Sequence, residues 1–192
     1  MSKPVVAIVY HSGYGHTKVV AEAVLAGIKE SDAVEGALIS VDEVDANWEV
    51  LDGAAAIIFG APIYMGNLSA GFQGFAEKSS KRWMELKWKD KLAAGFVNSG
   101  SQNGDKLQGL HAMFNLSQQH GMLWVGLGLH PGNNNSKGSV DDLNRLGGFG
   151  GAFAQSNVDE GPDMVPPAAD RKTAQHLGRR VADAAVRWTK GA

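Results

Sequence analysis

Five short apolar runs, of which the second is the weakest, alternate along the chain with segments whose apolar residues recur at helical spacing. The runs are Val5 to Tyr10, Ala37 to Val41, Ala54 to Gly60, Leu92 to Val97 and Met122 to Leu127. Continuous aliphatic runs are typical of strands that are buried on both faces of a parallel sheet. Because strands and helices alternate without an internal repeat, the sequence predicts one doubly wound α/β domain over residues 1–192.

The segments between the runs predict the helices and one turn. A helix is expected from near Lys18, another over Ala70 to Lys81, and a last one over Ala168 to Lys190. A short helical connection contains Trp48 and Leu51, with Asp45 as a possible cap. Proline lacks the amide that a central strand needs, so Pro62 is expected to end the third strand.

The loop after the first strand has the composition of a phosphate site. Residues His11 to Thr17 place the hydroxyls of Ser12 and Thr17 and two glycines directly before a helix. Unpaired amides and the helix dipole favour an anion at such a position. A nucleoside-triphosphate P-loop is excluded because no Gly-Lys-Ser/Thr follows, and Lys18 stands where a Rossmann fingerprint needs its third glycine. An ordinary capped turn remains the alternative for this loop by itself.

Polar loops that contain glycine also follow the third and fourth strands, at Ile63 to Asn67 and Asn98 to Gly104. In a flavodoxin-like sheet of order 2-1-3-4-5, for which flavodoxin itself is the standard example, these loops meet at the edge that holds flavin mononucleotide (FMN). A phosphoacceptor receiver domain has the same fold, but its acidic positions are occupied here by His11-Ser12 and Ala61-Pro62. The prediction is therefore a three-layer flavodoxin-like fold with five parallel strands and a long insert after Leu127, which is either functional or holds an extra strand.

Composition narrows the chemistry. The 192 residues include no cysteine, which excludes disulfides, thiolate nucleophiles and cysteine-bound metals, so redox chemistry would need an organic cofactor. No metal site is predicted. The net charge of -2 gives no basic excess for nucleic acid or an anionic membrane. The apolar run near the amino terminus is too short for a signal peptide or a membrane span, and a cytoplasmic location is expected.

Three motifs, taken together with their spacing, resemble one known family over essentially the whole chain. They are Tyr14-Gly15-His16, Gly60-Ala61-Pro62 followed by Gly66-Asn67, and His120-Gly121-Met122. The family is that of the tryptophan-repressor-binding-protein-like NAD(P)H:quinone oxidoreductases of the flavodoxin-like superfamily. The resemblance implies non-covalently bound FMN, a homotetramer or dimer, and ping-pong transfer of two electrons from NADH or NADPH to a quinone or similar flat acceptor.

The resemblance also implies which residues form the site. Phosphate contacts fall on Ser12, Gly13, Tyr14, Gly15, His16 and Thr17. Contacts with the flavin ring fall on Pro62, Ile63, Tyr64, Met65, Gly66 and Asn67, on Asn98, Ser99, Gly100, Ser101, Gln102, Asn103 and Gly104, and on His120. Tyr14 and Trp83 are the substrate-side residues. His120 is the catalytic candidate, since its ring could assist proton delivery to the quinone.

The chain departs from the family pattern at three places. Tyr64 and Met65 stand where the family has an arginine and an aromatic residue, Gln102 and Asn103 make the fourth loop more polar, and Pro131 to Leu146 differs in composition. The charge and shape beside the flavin ring are therefore expected to differ from the family's.

The sequence also leaves open two other functions and a purely structural role for two tryptophans. A flavodoxin-type electron-transfer protein would act without turning over a small molecule, although the basic residues from Lys78 to Lys91 disfavour it because such proteins are usually acidic around the flavin. A flavin-free regulatory or scaffolding protein is the third possibility. Trp83 and Trp88 could also be packing residues beneath basic side chains, and Trp83 could lie at a subunit contact.

Overall fold

A computed structural model describes residues 3–191. Its seven strands are β1 (Val5–Tyr10), β2 (Glu35–Ser40), β3 (Ala56–Tyr64), β4 (Asn67–Leu68), β5 (Leu92–Ser99), β6 (Leu123–Trp124) and β7 (Ala152–Gln155). Its α-helices are α1 (His16–Lys29), α2 (Trp48–Gly53), α3 (Ala70–Lys78), α4 (Ser80–Met84), α5 (Lys106–Gln119) and α6 (Ala168–Lys190), with a 3₁₀ helix at Val41–Ala46. No helix in this range combines the length and apolar character that a membrane span needs.

The main path of the sheet consists of five parallel strands in the order β2-β1-β3-β5-β6, and β7 pairs parallel with β5 beyond β6. This is the predicted order 2-1-3-4-5, because β4 is a two-residue strand paired antiparallel to the end of β3. Strand residues alternate between two apolar layers: Val6 and Ile8 pack with α1 and α6, and Ala7 and Val9 pack on the other face. The flavodoxin-like three-layer fold is therefore confirmed.

The first and last helices pack unusually closely at two glycines. A Cβ on Gly27 of α1 would collide with the backbone of Gln175, and one on Gly178 of α6 would collide with the backbone oxygen of Val24. The two helix backbones are therefore in direct contact. This contact fixes α1, whose N-terminus lies at the carboxyl edge of the sheet, against the C-terminal helix.

Three local predictions were wrong. β3 runs through Pro62 to Tyr64. Because β1 ends opposite Gly60, Pro62 is paired with a parallel strand on the β5 side only, where proline is tolerated. The helix expected over residues 70–81 is divided at Ser79 into α3 and α4. Asn47, not Asp45, stands at the N-cap of α2, and Asp45 accepts bonds from Trp48 and Lys78 instead.

The insert after Leu127 holds the extra strand that its length suggested. β6 is only two residues long, and after 27 intervening residues β7 returns to pair with the carboxyl half of β5. A buried ion pair between Arg145 and Asp170 holds the insert against α6, and Asp170 also accepts the amide of Gln155 in β7. The insert thereby delivers residues 156–162 to the edge of the sheet where the polar loops meet.

Candidate functional site

A cleft of about 1110 Å³ opens at the carboxyl edge of β1, β3 and β5. It has the size of a site for a nucleotide-like ligand. Its lining comes from the three predicted loops and from the insert: Tyr14, His16, Thr17, Pro62, Ile63, Tyr64, Met65, Gly66, Asn98, Ser99, Gly100, Ser101, Gly104, Asp105, Ser156, Val158, Glu160, Gly161 and Pro162. The convergence of loops expected from the strand order is thus present.

The loop from β1 to α1 presents unpaired amides to the cleft. Gly15 is the N-cap of α1, with φ of 89°, and its side-chain-free backbone is packed against Pro162. Ser12 Oγ accepts the amide of Lys18 at 3.2 Å. Among residues 3–191, no hydrogen-bond acceptor is found for the amides of His16 and Thr17, so two donors and the positive end of the helix dipole remain for an anion.

His16 connects this loop to the insert. Its Nε2 atom lies 3.0 Å from the backbone oxygen of Glu160, close to the contact between Gly15 and Pro162. Both contacts join residues more than 140 positions apart in the chain. The segment 156–162 therefore borders the cleft beside the helix terminus.

Tyr14 and Tyr64 form an aromatic wall on one side of the cleft. Their rings meet edge to face with centroids 6.2 Å apart, and Tyr14 is 78% exposed. Burial raises the pKa of the Tyr64 phenol, Tyr14 acts in the same direction, and the backbone of Gly13 beside the phenol opposes them. Met65, in the tight turn between β3 and β4, has φ of 50° and is fully exposed at the rim. Aromatic faces next to free amides suit a flat heterocycle that carries a phosphate.

The loop after β5 is held from inside by a buried lysine that sequence analysis missed. Lys106 is 1% exposed, and its Nζ donates to Ser99 Oγ at 2.6 Å and to the backbone oxygens of Ser101 at 2.6 Å and Gln102 at 2.9 Å. Burial lowers the pKa of Lys106 to about 8, an effect that Asp170 opposes and Arg145 increases. Nothing in the sequence signals this role, because a lysine at the start of a helix usually reads as a solvated side chain.

The insert contributes a part of the site that sequence analysis did not assign. Ser156 donates its hydroxyl to Asn98 Oδ1 at 3.1 Å, and its amide binds the backbone oxygen of Ser99 at 3.1 Å. Gln155 donates to the backbone oxygen of Gly100 at 2.9 Å. These bonds fasten residues 156–162 to the loop after β5. The only signal available was the length of the insert.

Several predicted site residues do not line the cleft. Ser12, Gly13 and Gly15 of the loop from β1 to α1 are not among the lining residues, and neither are Asn67, Gln102 and Asn103 of the other two loops. Trp83 is 46% exposed on α4 and is not part of the lining. The charge that lines the cleft is acidic, from Asp105 and Glu160, whereas the basic residues between Lys78 and Lys91 lie outside it.

His120, the catalytic candidate, lies in the core and is not among the residues that line the cleft. His120 is 1% exposed and packs on Trp88, with ring centroids 4.3 Å apart. Its Nε2 lies 2.9 Å from Ser79 Oγ, whose own proton goes to the backbone oxygen of Ala76. His120 therefore donates through Nε2, and its buried Nδ1 has no partner among the described residues. Burial lowers the pKa of the imidazole to about 4, so the ring is neutral near pH 7.

Trp88 is likewise a core residue. It is fully buried and donates Nε1 to Asp52 at 2.9 Å, while Arg82 stacks on Trp48 rather than on Trp88.

Within residues 3–191, no group of three or more histidine, aspartate or glutamate side chains could hold a metal ion.

Comparison with known proteins places these features in context. Residues 7–119 match the model of the flavodoxin domain family. The chain is 44% identical over 189 residues to flavodoxin FldP of Pseudomonas aeruginosa, covering 95% of this chain and 96% of that protein. It is 27% identical over 207 residues to an NAD(P)H dehydrogenase (quinone) of Chromohalobacter salexigens, covering 97% and 98%. A solved flavodoxin, WrbA-like protein of Agrobacterium tumefaciens is 38% identical with a TM-score of 0.75, covering 96% of this chain and 99% of that one.

Proposed function

Because this chain belongs to the flavodoxin domain family, we propose that its cleft binds FMN non-covalently and that residues 1–192 form a single FMN-binding domain. The observation that carries the proposal is the pair of unpaired amides at His16 and Thr17, at the positive end of α1 and inside the cleft. Donors of this kind hold a phosphomonoester without a basic side chain. A P-loop lysine or a cysteine is not needed.

The residues present fit each part of FMN. The phosphate would be held by the amides of His16 and Thr17 and by the Thr17 hydroxyl, with Gly15 allowing close approach of the backbone. The ring would lie between the segment Pro62 to Gly66 and the loop after β5, beside the aromatic wall of Tyr14 and Tyr64. FMN supplies the two-electron chemistry when it is bound.

The chain's own residues have three tasks in this proposal. Thr17 and the amides next to it fix the phosphate end, and the segment 156–162 keeps water from that end through the contacts of His16 and Pro162. The backbone donors of the loop after β5 present partial positive charge to one edge of the ring. No side chain in the cleft has to act as a nucleophile or an obligatory base.

The specific activity that we propose is transfer of two electrons from NADH or NADPH to a quinone or similar flat acceptor. The resemblance of the motifs, the quinone dehydrogenase relatives and the WrbA-like solved structure support it. The exposed Tyr14 offers an aromatic surface for the nicotinamide nucleotide at the open side of the cleft.

A flavodoxin-type carrier of electrons between proteins is the second candidate. The 44% identical relative is called a flavodoxin, and Asp105 and Glu160 make the lining of the cleft acidic. An acidic surface around the cofactor favours docking of a basic protein partner. The basic segment that disfavoured this function in the sequence does not line the cleft, so it no longer argues against a carrier.

Anaerobic stopped-flow spectroscopy of the FMN-loaded protein separates the two candidates. The enzyme is expected to be bleached rapidly by NADH or NADPH and recoloured rapidly by benzoquinone. A carrier would be reduced by neither nucleotide at a useful rate. A colourless protein that ignores added FMN would contradict both functions and leave a flavin-free regulatory or scaffolding role.

A further inference from the structure

Lys106 is an unusual side chain for its position. It is the first residue of α5, where the helix dipole disfavours a cation, and it is nevertheless almost completely buried. Its Nζ has three close acceptors, none of them charged, and a longer contact of 3.4 Å to the backbone oxygen of Asn103. No carboxylate lies within 4 Å of Nζ in the part of the chain that the structure describes. A net positive charge therefore remains beneath the loop after β5.

The hydrogen bonds of Lys106 also determine the direction of the loop's amides. In a trans peptide unit the C=O and the following N–H point in opposite directions. Because the backbone oxygens of residues 101–103 point inward at Nζ, the amides of residues 102–104 point away from it. These three amides have no acceptor among residues 3–191. The loop thus presents three free donors outward, with a cation on its inner side.

We propose that Lys106 is a positioning residue for the bound cofactor: it turns the amides of residues 102–104 toward the flavin ring and adds a buried positive charge that favours the reduced, more negative ring. The inference rests on the proposed binding of FMN. It does not depend on which electron donor or acceptor the protein uses. Lys106 itself touches the loop and not the ligand.

The test compares Lys106→Met with a matched variant, Lys91→Met. Lys91 is also partly buried and donates to two backbone oxygens, of Asp52 at 2.7 Å and Ala54 at 2.6 Å, but it does not line the cleft. Folding of each variant is checked by circular dichroism, and oxidised FMN is titrated into the apoprotein by flavin fluorescence. We expect Kd to rise at least tenfold in Lys106→Met and to change less than twofold in Lys91→Met.

The midpoint potential of the bound FMN separates positioning from general damage to the fold. Loss of the buried charge should weaken binding of reduced FMN a further tenfold relative to oxidised FMN, which lowers the two-electron potential by about 30 mV. Lys106→Gln keeps a hydrogen-bond donor but not the charge, so it should show the same fall in midpoint potential. It replaces Lys106→Met in the test if the methionine variant does not fold.

Two results would overturn the inference while leaving the proposed function intact. One is wild-type affinity and potential in the Lys106 variants. The other is an equal loss in the Lys106 and Lys91 variants. Failure of the wild-type protein to bind FMN would instead overturn the proposed function itself.

Discussion

Ser12 and Thr17, the two hydroxyl residues of the loop from β1 to α1, differ in their surroundings although the sequence predicts the same phosphate contact for both. Ser12 uses its oxygen to cap the amide of Lys18, so its hydroxyl mainly stabilises the helix terminus. Thr17 is buried in the lining of the cleft, next to the unpaired amides. We therefore infer that Thr17, more than Ser12, supplies the hydroxyl that meets the phosphate.

Thr17→Ala is expected to weaken FMN binding by roughly 1 to 3 kcal/mol, the range for a lost charge-assisted hydrogen bond. Flavin fluorescence titration measures it. Thr189→Ala is the control, because Thr189 bonds only within α6, to the backbone oxygens of Ala185 and Val186. Equal affinity of the Thr17 variant and the wild-type protein would show that the phosphate lies elsewhere.

His120 predicts a specific dependence of stability on pH. The pKa of its ring is lowered to about 4 in the fold, whereas an unfolded histidine has a pKa near its ordinary value of 6.5. As the pH falls from 6.5 toward 4, the unfolded chain binds a proton that the folded chain refuses, so this contribution to stability is progressively lost. Over the whole window the loss is about 3 kcal/mol.

A denaturant titration of wild type and His120→Gln at pH 7 and pH 4 tests this dependence. Glutamine keeps a donor for Ser79 but does not titrate, so the stability advantage of the wild-type protein should shrink at the lower pH. A constant difference between the two proteins would mean that His120 is protonated in the fold. The same comparison shows whether the ring is the core residue described above.

At the scale of elements, the contact of α1 with α6 anchors the helix that follows the loop from β1 to α1. Gly27→Ala or Gly178→Ala should destabilise the fold by about 1 to 3 kcal/mol, because a methyl group forces the two backbones apart. The urea unfolding midpoint measures the loss. The double variant should lose less than the sum of the single variants, since the first methyl already opens the gap.

Gly74→Ala is the control for these variants. Gly74 lies inside α3 with open space where a Cβ would stand, so alanine should stabilise the protein by about 0.5 to 1 kcal/mol. Strict additivity of the Gly27 and Gly178 substitutions, or a neutral effect of each, would contradict close packing of the helices.

The sequence predicted correctly those helices and strands whose bounds follow from a local pattern of apolar residues. β1 and α6 have the predicted bounds, because an apolar run and a long stripe of apolar residues are local signals. The position of β7 and of residues 156–162 depends instead on hydrogen bonds between distant residues. Ser156 bonds to Asn98, 58 positions away, and His16 to Glu160, 144 positions away. The positions of His120 and Lys106 depend in the same way on partners that only the fold brings near.

At the scale of the whole molecule, we propose that exposed apolar residues near α4 contribute to association of copies. Trp83, Met84 and Leu86 lie within four positions on α4 and the turn after it, and all three are exposed. The dimer or tetramer implied by the family resemblance would bury such a surface. This also gives Trp83 a role although it does not line the cleft of its own chain.

Sedimentation velocity at micromolar concentration is expected to show a dimer or tetramer of the wild-type chain. Trp83→Lys should shift it toward monomer, because a charge would be buried at the contact. Val140→Lys changes an exposed apolar residue of the insert and serves as the control. A wild-type protein that is monomeric at every concentration would contradict association through this surface.

The division of the sheet's outer strand between β6 and β7 has a consequence for aggregation. A long, flat edge strand is a template on which a second chain can add its own backbone. On the β5 side, the outer ladder consists of one piece of two residues and another of four, supplied by separate stretches of chain. Neither piece is long enough to recruit a foreign strand. Among the described residues, the uninterrupted six-residue ladder of β2 is left as the edge at which unwanted strand addition would have to begin.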